Sequence, residues 1–124
     1  NSYSQIEELI KNASKSVVIV TNADGLPRKI NYLRNALKKI AKKGVNIRVF
    51  APLSKVKKEL LAELKEVAEL KDVEMDARFV LVDDENLIFM ISDNVNANSN
   101  HDDSIWIKSK NFVSAFSKLY REYS

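Results

Sequence analysis

Cysteine is absent from this sequence, so neither a disulfide framework nor a thiolate metal site can form, and the absence fits a cytoplasmic setting. No apolar run approaches the roughly 20 residues needed to cross a bilayer, which excludes a membrane-spanning helix. The N-terminus has no basic segment leading into an apolar one, so no signal peptide is visible. The chain starts at Asn1 rather than methionine, which reads as a fragment of something longer. Histidine occurs once, at His101, and tryptophan once, at Trp106. With two glycines among many Lys, Ile and Asn residues, the composition hints at an AT-rich genome. Charge of one sign is lacking as well. Twenty Lys and Arg face seventeen Asp and Glu for a net +3, which is not the asymmetry of a dedicated nucleic-acid binder.

What remains is the composition of a soluble globular domain, 45% hydrophobic and 30% charged. Its 124 residues are one domain's worth, enough for a single core over 1–124.

Ser4-Gln5-Ile6-Glu7 has the form of a capping box, and Ile6, Leu9, Ile10 and Ala13 follow at helical spacing. Val17-Val18-Ile19-Val20 is a run of β-branched residues, the signature of a strand buried on both faces. Asn22 to Pro27 is turn chemistry at that strand's carboxyl end, the edge where open α/β sheets bind ligands. Ile30, Leu33, Leu37, Ile40 and Ala41 make the apolar stripe of a second helix, stopped by Gly44. Lys38, Lys39, Lys42 and Lys43 lie outside that stripe and suit either DNA phosphates or, more simply, the helix dipole. Val45 to Phe50 alternates as a strand, and strand–helix–strand at this spacing implies a parallel pair. From Ser54 as cap, Val56, Leu60, Leu64, Val67 and Ala68 line a third helix. Val73-Glu74-Met75 reads as a short strand. Arg78 to Val82 and Leu87 to Ile91 read as a hairpin with a four-residue connection, placed mid-sheet by its apolar arms. Asn94 to Asp103 reads as a polar loop, Ser104 to Lys108 as a strand. A last helix is capped by Ser109 or Asn111, with Phe112, Val113, Phe116, Leu119, Tyr120 and Tyr123 inward. The pattern predicts a three-layer α/β sandwich with helices on both faces of a mixed, mostly parallel sheet.

One segment goes further. Asp76-Ala77-Arg78-Phe79-Val80-Leu81-Val82-Asp83 resembles the phospholipase D signature of histidine, any residue, lysine, four residues, then aspartate. Asp76 stands in the histidine slot, Arg78 in the lysine slot and Asp83 in the aspartate slot. Ile91-Ser92-Asp93-Asn94 is similar to the Gly-Ser-x-Asn segment of that family, displaced by one position. The resemblance implies a phospholipase-D-like fold without its catalysis. A carboxylate at position 76 repels the anionic phosphodiester that the histidine would attack.

Asp103 to Phe112, followed by Phe116, Leu119 and Tyr120, resembles the closing strand and helix of TrmB-type transcriptional regulators. In those mostly archaeal proteins a winged helix binds DNA and a degenerate phospholipase-D-like domain senses sugars or other metabolites. The resemblance implies a non-enzymatic sensing and dimerisation domain that lacks the DNA-binding part. It also implies a homodimer through the motif face, a sugar or sugar phosphate as ligand, DNA reached only through the missing domain, and no membrane. The rival readings are a phosphodiesterase or nuclease of the phospholipase D superfamily, and an interaction domain with no ligand.

The candidate ligand contacts are Asn22, Asp24, Asp76, Arg78, Asp83, Ser92, Asn94 and Trp106. Thr21 stands with Asn22 and Asp24 at the strand's carboxyl end. Arg78 serves equally well as the centre of a remnant ion pair with Asp76 or Asp83. Trp106 suits the C–H face of a sugar, although an alternating strand more often buries or docks such a residue. Asn94, Asn96, Asn98 and Asn100 suit hydroxyl groups or plain solvation. His101-Asp102-Asp103 are adjacent and lack a second histidine, so no metal is expected, and no cofactor.

Overall fold

A computed structural model describes residues 2–74, 77–91 and 103–120. In chain order it has α1 (Ser2–Lys11), β1 (Ser16–Val20), α2 (Gly25–Lys42), β2 (Asn46–Ala51) and a 3-10 turn (Leu53–Lys55). Then come α3 (Lys58–Lys65), β3 (Glu69–Asp72), β4 (Phe79–Val82), β5 (Asn86–Ile91), β6 (Asp103–Lys108) and α4 (Lys110–Tyr120). The six strands form one sheet in the order β3-β2-β1-β4-β5-β6.

The β-branched run of β1 lies near the centre, parallel to β2 and antiparallel to β4. Side-chain alternation splits its burial between two cores. Val17 and Ile19 join α1, α2 and α3 through Ile10, Leu33, Leu37 and Leu64. Val18 and Val20 join the opposite face with Phe50, Phe79, Leu81 and Val113 of α4. The rings of Phe79, Phe89 and Phe116 meet there at centroid distances of 4.8, 5.3 and 6.0 Å. Helices therefore cover both faces and the sandwich has three layers. The sheet is mixed as expected, but two of its five pairings are parallel and three antiparallel. The tight turn at Asp83–Glu85 allows only antiparallel pairing of β4 and β5, and β4 meets β1 antiparallel too.

Several boundaries depart from the sequence pattern. Helix α1 begins at Ser2, so Ser4 lies within its first turn rather than at the cap. Helix α2 begins at Gly25 inside the expected turn, and Pro27 sits in the first helical turn, where a missing N–H costs nothing. Gly44 adopts φ +85° and its N–H bonds the Ala41 carbonyl, the left-handed termination expected of it. The helix expected from Ser54 starts only at Lys58, because Lys57 is extended (ψ 140°) and the Leu53 N–H is tied to Asp72 Oδ1 at 2.9 Å. It stops at Lys65, before Val67 and Ala68, whose N–H groups both turn back to the Leu64 carbonyl.

The third strand is Glu69–Asp72 rather than Val73 to Met75, and Met75 lies outside the described residues. The hairpin connection is three residues, not four, with Asp83 (φ 57°) and Asp84 (φ 54°) left-handed, a conformation aspartate tolerates. Ser109 caps α4, its Oγ accepting from the Phe112 N–H at 3.3 Å. Phe112 is exposed rather than packed inward. No helix among the described residues is long and apolar enough to cross a membrane.

Candidate functional site

Parallel β1 and β2 bring their carboxyl ends to one edge of the sheet, and the antiparallel run of β4 brings its start to the same edge. The pairing Val20↔Phe79, continued one step, sets Thr21 beside Arg78. Thr21 and Arg78 are both buried, at 1% and 8% exposure. The alternation that turns Ile19 and Val80 toward α2 turns Thr21 and Arg78 the same way.

From α2, Lys29 enters this space. It is 3% exposed, and its Nζ donates to Thr21 Oγ1 at 3.2 Å. Lys29 occupies a core position of the stripe Leu26, Lys29, Ile30, Leu33, so helical spacing alone drives it inward. Gly25 is required for the close approach. A Cβ there would lie 2.7 Å from Thr21 Oγ1 and 3.0 Å from Asn22 Oδ1. The Nη2 of Arg78 is fully buried and meets no hydrogen-bond partner among the described residues. A buried lysine bonded to the Thr21 hydroxyl and a buried guanidinium on the neighbouring strand are donors suited to a carboxylate, a phosphate or a cluster of hydroxyls.

An open groove of about 760 Å³ lies alongside, between the start of α2 and the 3-10 turn with α3. Its lining carries Asp24, Glu59 and Glu63 against Arg28, Arg34, Lys55 and Lys57. Arg34 forms a two-pronged ion pair with Glu63, Nη2 to Oε1 at 3.1 Å and Nε to Oε2. The hydrogen bond from Arg34, with its positive charge, holds the Glu63 carboxyl below the usual range and the Arg34 guanidinium above it. Lys55 pairs outside the groove with Glu74 at 3.0 Å. Among the described residues, no three acidic or histidine side chains gather as a metal site would need.

The predicted contacts divide. Arg78 and Asp24 lie at the carboxyl edge, one buried and one on the groove. Asn22 is there too, but its Oδ1 accepts from the Gly25 N–H at 2.7 Å and so starts α2. Asp83 is at the opposite edge. Five strand steps from Arg78 amount to about 16 Å, so the two cannot share a ligand or an ion pair. Its carboxylate instead accepts from the amides of Ser14, Lys15 and Ser16 at 2.8–3.2 Å, fastening the hairpin turn to the α1–β1 connection. Trp106 is also apart, on edge strand β6 opposite Ile88, with its Nε1 donating to Asn86 Oδ1 at 3.0 Å. Asp76, Ser92 and Asn94, like His101, lie outside the described residues. Sequence reasoning missed Lys29 and Gly25, although a lysine in an apolar stripe is a visible signal.

The family described as transcriptional regulator TrmB, EBD N-terminal subdomain, matches residues 1–123. The chain belongs to this family. Among solved structures the TrmB subdomain is similar to TrmBL2, an archaeal chromatin protein, with TM-score 0.71 and 19% identity. That match covers 99% of this chain but 47% of TrmBL2, so the subdomain spans under half of that protein. NucT from Helicobacter pylori matches at TM-score 0.72 and 14% identity, over 97% of this chain and 85% of NucT. Nuc from Salmonella typhimurium, a phospholipase D family member, matches at 0.65 and 11%, over 97% and 84%. At these identities the likeness is one of fold, and the TrmB subdomain is phospholipase-D-like. No curated protein matches it.

Proposed function

We propose that this domain is the non-catalytic, effector-sensing and dimerising part of a cytoplasmic TrmB-type regulator whose DNA-binding domain is separate. The observation that carries the reading is the buried Arg78 guanidinium. A buried donor that meets no partner among the described residues costs about 1–3 kcal/mol if nothing completes it, more when charged, and this supports a ligand that does. The ligand class is a sugar or sugar phosphate, received at the Thr21, Lys29 and Arg78 edge. A ligand that binds one dimer geometry better than another shifts the population and re-spaces the attached DNA-binding domains. Two sequence features support the absence of catalysis: Asp76 stands in the nucleophile slot, and the sole histidine is His101.

The test is the melting temperature against neutral sugars, sugar phosphates and nucleotides, for wild type and Arg78→Met. A ligand at ~100 times its Kd adds roughly 2.7 kcal/mol. For a domain of this size that is on the order of 10 °C. We expect one class to produce such a shift, with Arg78→Met folding as well as wild type but losing it. A flat response from every class sinks the sensing reading, and hydrolysis of a generic phosphodiester by wild type sinks the non-catalytic one.

A further inference from the structure

The two edges of the sheet are built differently. At one end β3 carries Glu69, Lys71 and Asp72, and Glu69 lies 3.6 Å from both Arg48 and Lys71. Charges of this kind are how an edge strand is kept from pairing with another chain. At the other end β6 reads Asp103-Ser104-Ile105-Trp106-Ile107-Lys108, with no charge between its two ends. Ile105, Trp106 and Phe112 are the exposed large hydrophobic residues among those described, each about half exposed.

The direction of the backbone groups on β6 follows from the ladder. The Met90 N–H donates to the Arg78 carbonyl at 2.9 Å, so even-numbered residues of β5 turn their backbone groups toward β4. Odd-numbered residues of β5 then face β6, and they pair with Asp103, Ile105 and Ile107. The N–H and C=O groups of Ser104, Trp106 and Lys108 therefore point outward, and no described strand pairs with them. Apolar side chains flank that row on both faces. Ile105 shares a face with Ile107, which packs on the core of α4, and Trp106 takes the other.

We propose that the outer edge of β6 pairs with β6 of a second copy of this chain, antiparallel, to give one continuous twelve-stranded sheet. The charge order of the segment favours this occupant. Asp103 opens the strand, and Lys108 and Lys110 stand at its other end, so antiparallel pairing lays the acidic end beside the basic one. A two-fold axis normal to the sheet at Trp106 pairs the two Trp106 backbones with each other and Ser104 with the second copy's Lys108. That arrangement gives the outward donors and acceptors of β6 partners and brings Ile105 and Trp106 against the second copy.

The proposal rests on the dimerising part of the function proposed above and assigns it to β6 rather than to the motif face. It is tested by sedimentation of the wild-type chain, of Ile105→Lys and of Ser104→Pro, with far-UV circular dichroism as the check on folding. Proline at 104 removes an outward N–H and leaves the β5 ladder in place. Trp106 is the only tryptophan and reports directly, since its quenching by acrylamide should fall as the dimer forms. A wild-type dimer whose association weakens at least tenfold in both folded variants supports the proposal. A wild type that stays monomeric overturns it, and so does a dimer unaffected by Ile105→Lys. Ligand-induced melting shifts on Ile105→Lys separate the two readings. A kept shift with lost self-association supports both, and an absent shift in a normal wild-type dimer overturns sensing alone.

Discussion

Asp83 shows how a residue's place on a strand overrides its place in a motif. Asp76, Arg78 and Asp83 look like neighbours in the sequence, but residues five apart on a strand lie at opposite ends of it. Asp83 consequently serves the far edge of the sheet, where three backbone amides converge on its carboxylate. Asp83→Ala should lower stability by about 2 kcal/mol, through lost charge-assisted hydrogen bonds and a left-handed alanine. Urea titration would show this as a lower midpoint with unchanged slope, while any ligand-induced melting shift stays intact. Lys29 makes the converse point. Its charge suggests a surface position, but the stripe it shares with Leu26, Ile30 and Leu33 takes it into the site.

Among the elements, those with a strong local signal were legible in the sequence. β1 announced itself by four β-branched residues, α2 by its apolar stripe and Gly44, and the β4–β5 hairpin by two apolar arms around an acidic turn. β3 was not legible, because Glu-Leu-Lys-Asp has poor strand propensity and is extended only through its pairing with β2. The start of α3 was hidden for a similar reason, since the bond from Leu53 to Asp72 joins residues nineteen apart. The Arg34–Glu63 pair ties α2 to α3 and makes their contact sensitive to acid. Folding lowers the Glu63 pKa, so its contribution is present above the ordinary carboxylate range and is lost as pH falls through the lowered value. Wild type should therefore lose more stability than Glu63→Gln between about pH 5 and pH 3, in parallel urea titrations. The difference should be small, because both side chains are partly solvated.

At the scale of the whole molecule, the fold class was readable from the order of its elements, whereas the assembly of the edge site was not. Thr21, Lys29 and Arg78 come from three elements, and only the β1–β4 pairing brings them together. The two cores share that same sheet, so they should melt as one unit. Far-UV circular dichroism and Trp106 fluorescence should give coincident transitions, and separated midpoints would show two independent units.

That single pairing also has a consequence for how the chain matures on the ribosome. Everything up to β3 is local in sequence, a succession of neighbouring units that can form as they emerge. Until residues 79–82 follow, however, one flank of the apolar run Val17–Val20 has no strand beside it. A growing chain thus carries an open, adhesive β-edge for as long as translation needs to reach Val82, and that interval is when it most needs shielding by a chaperone.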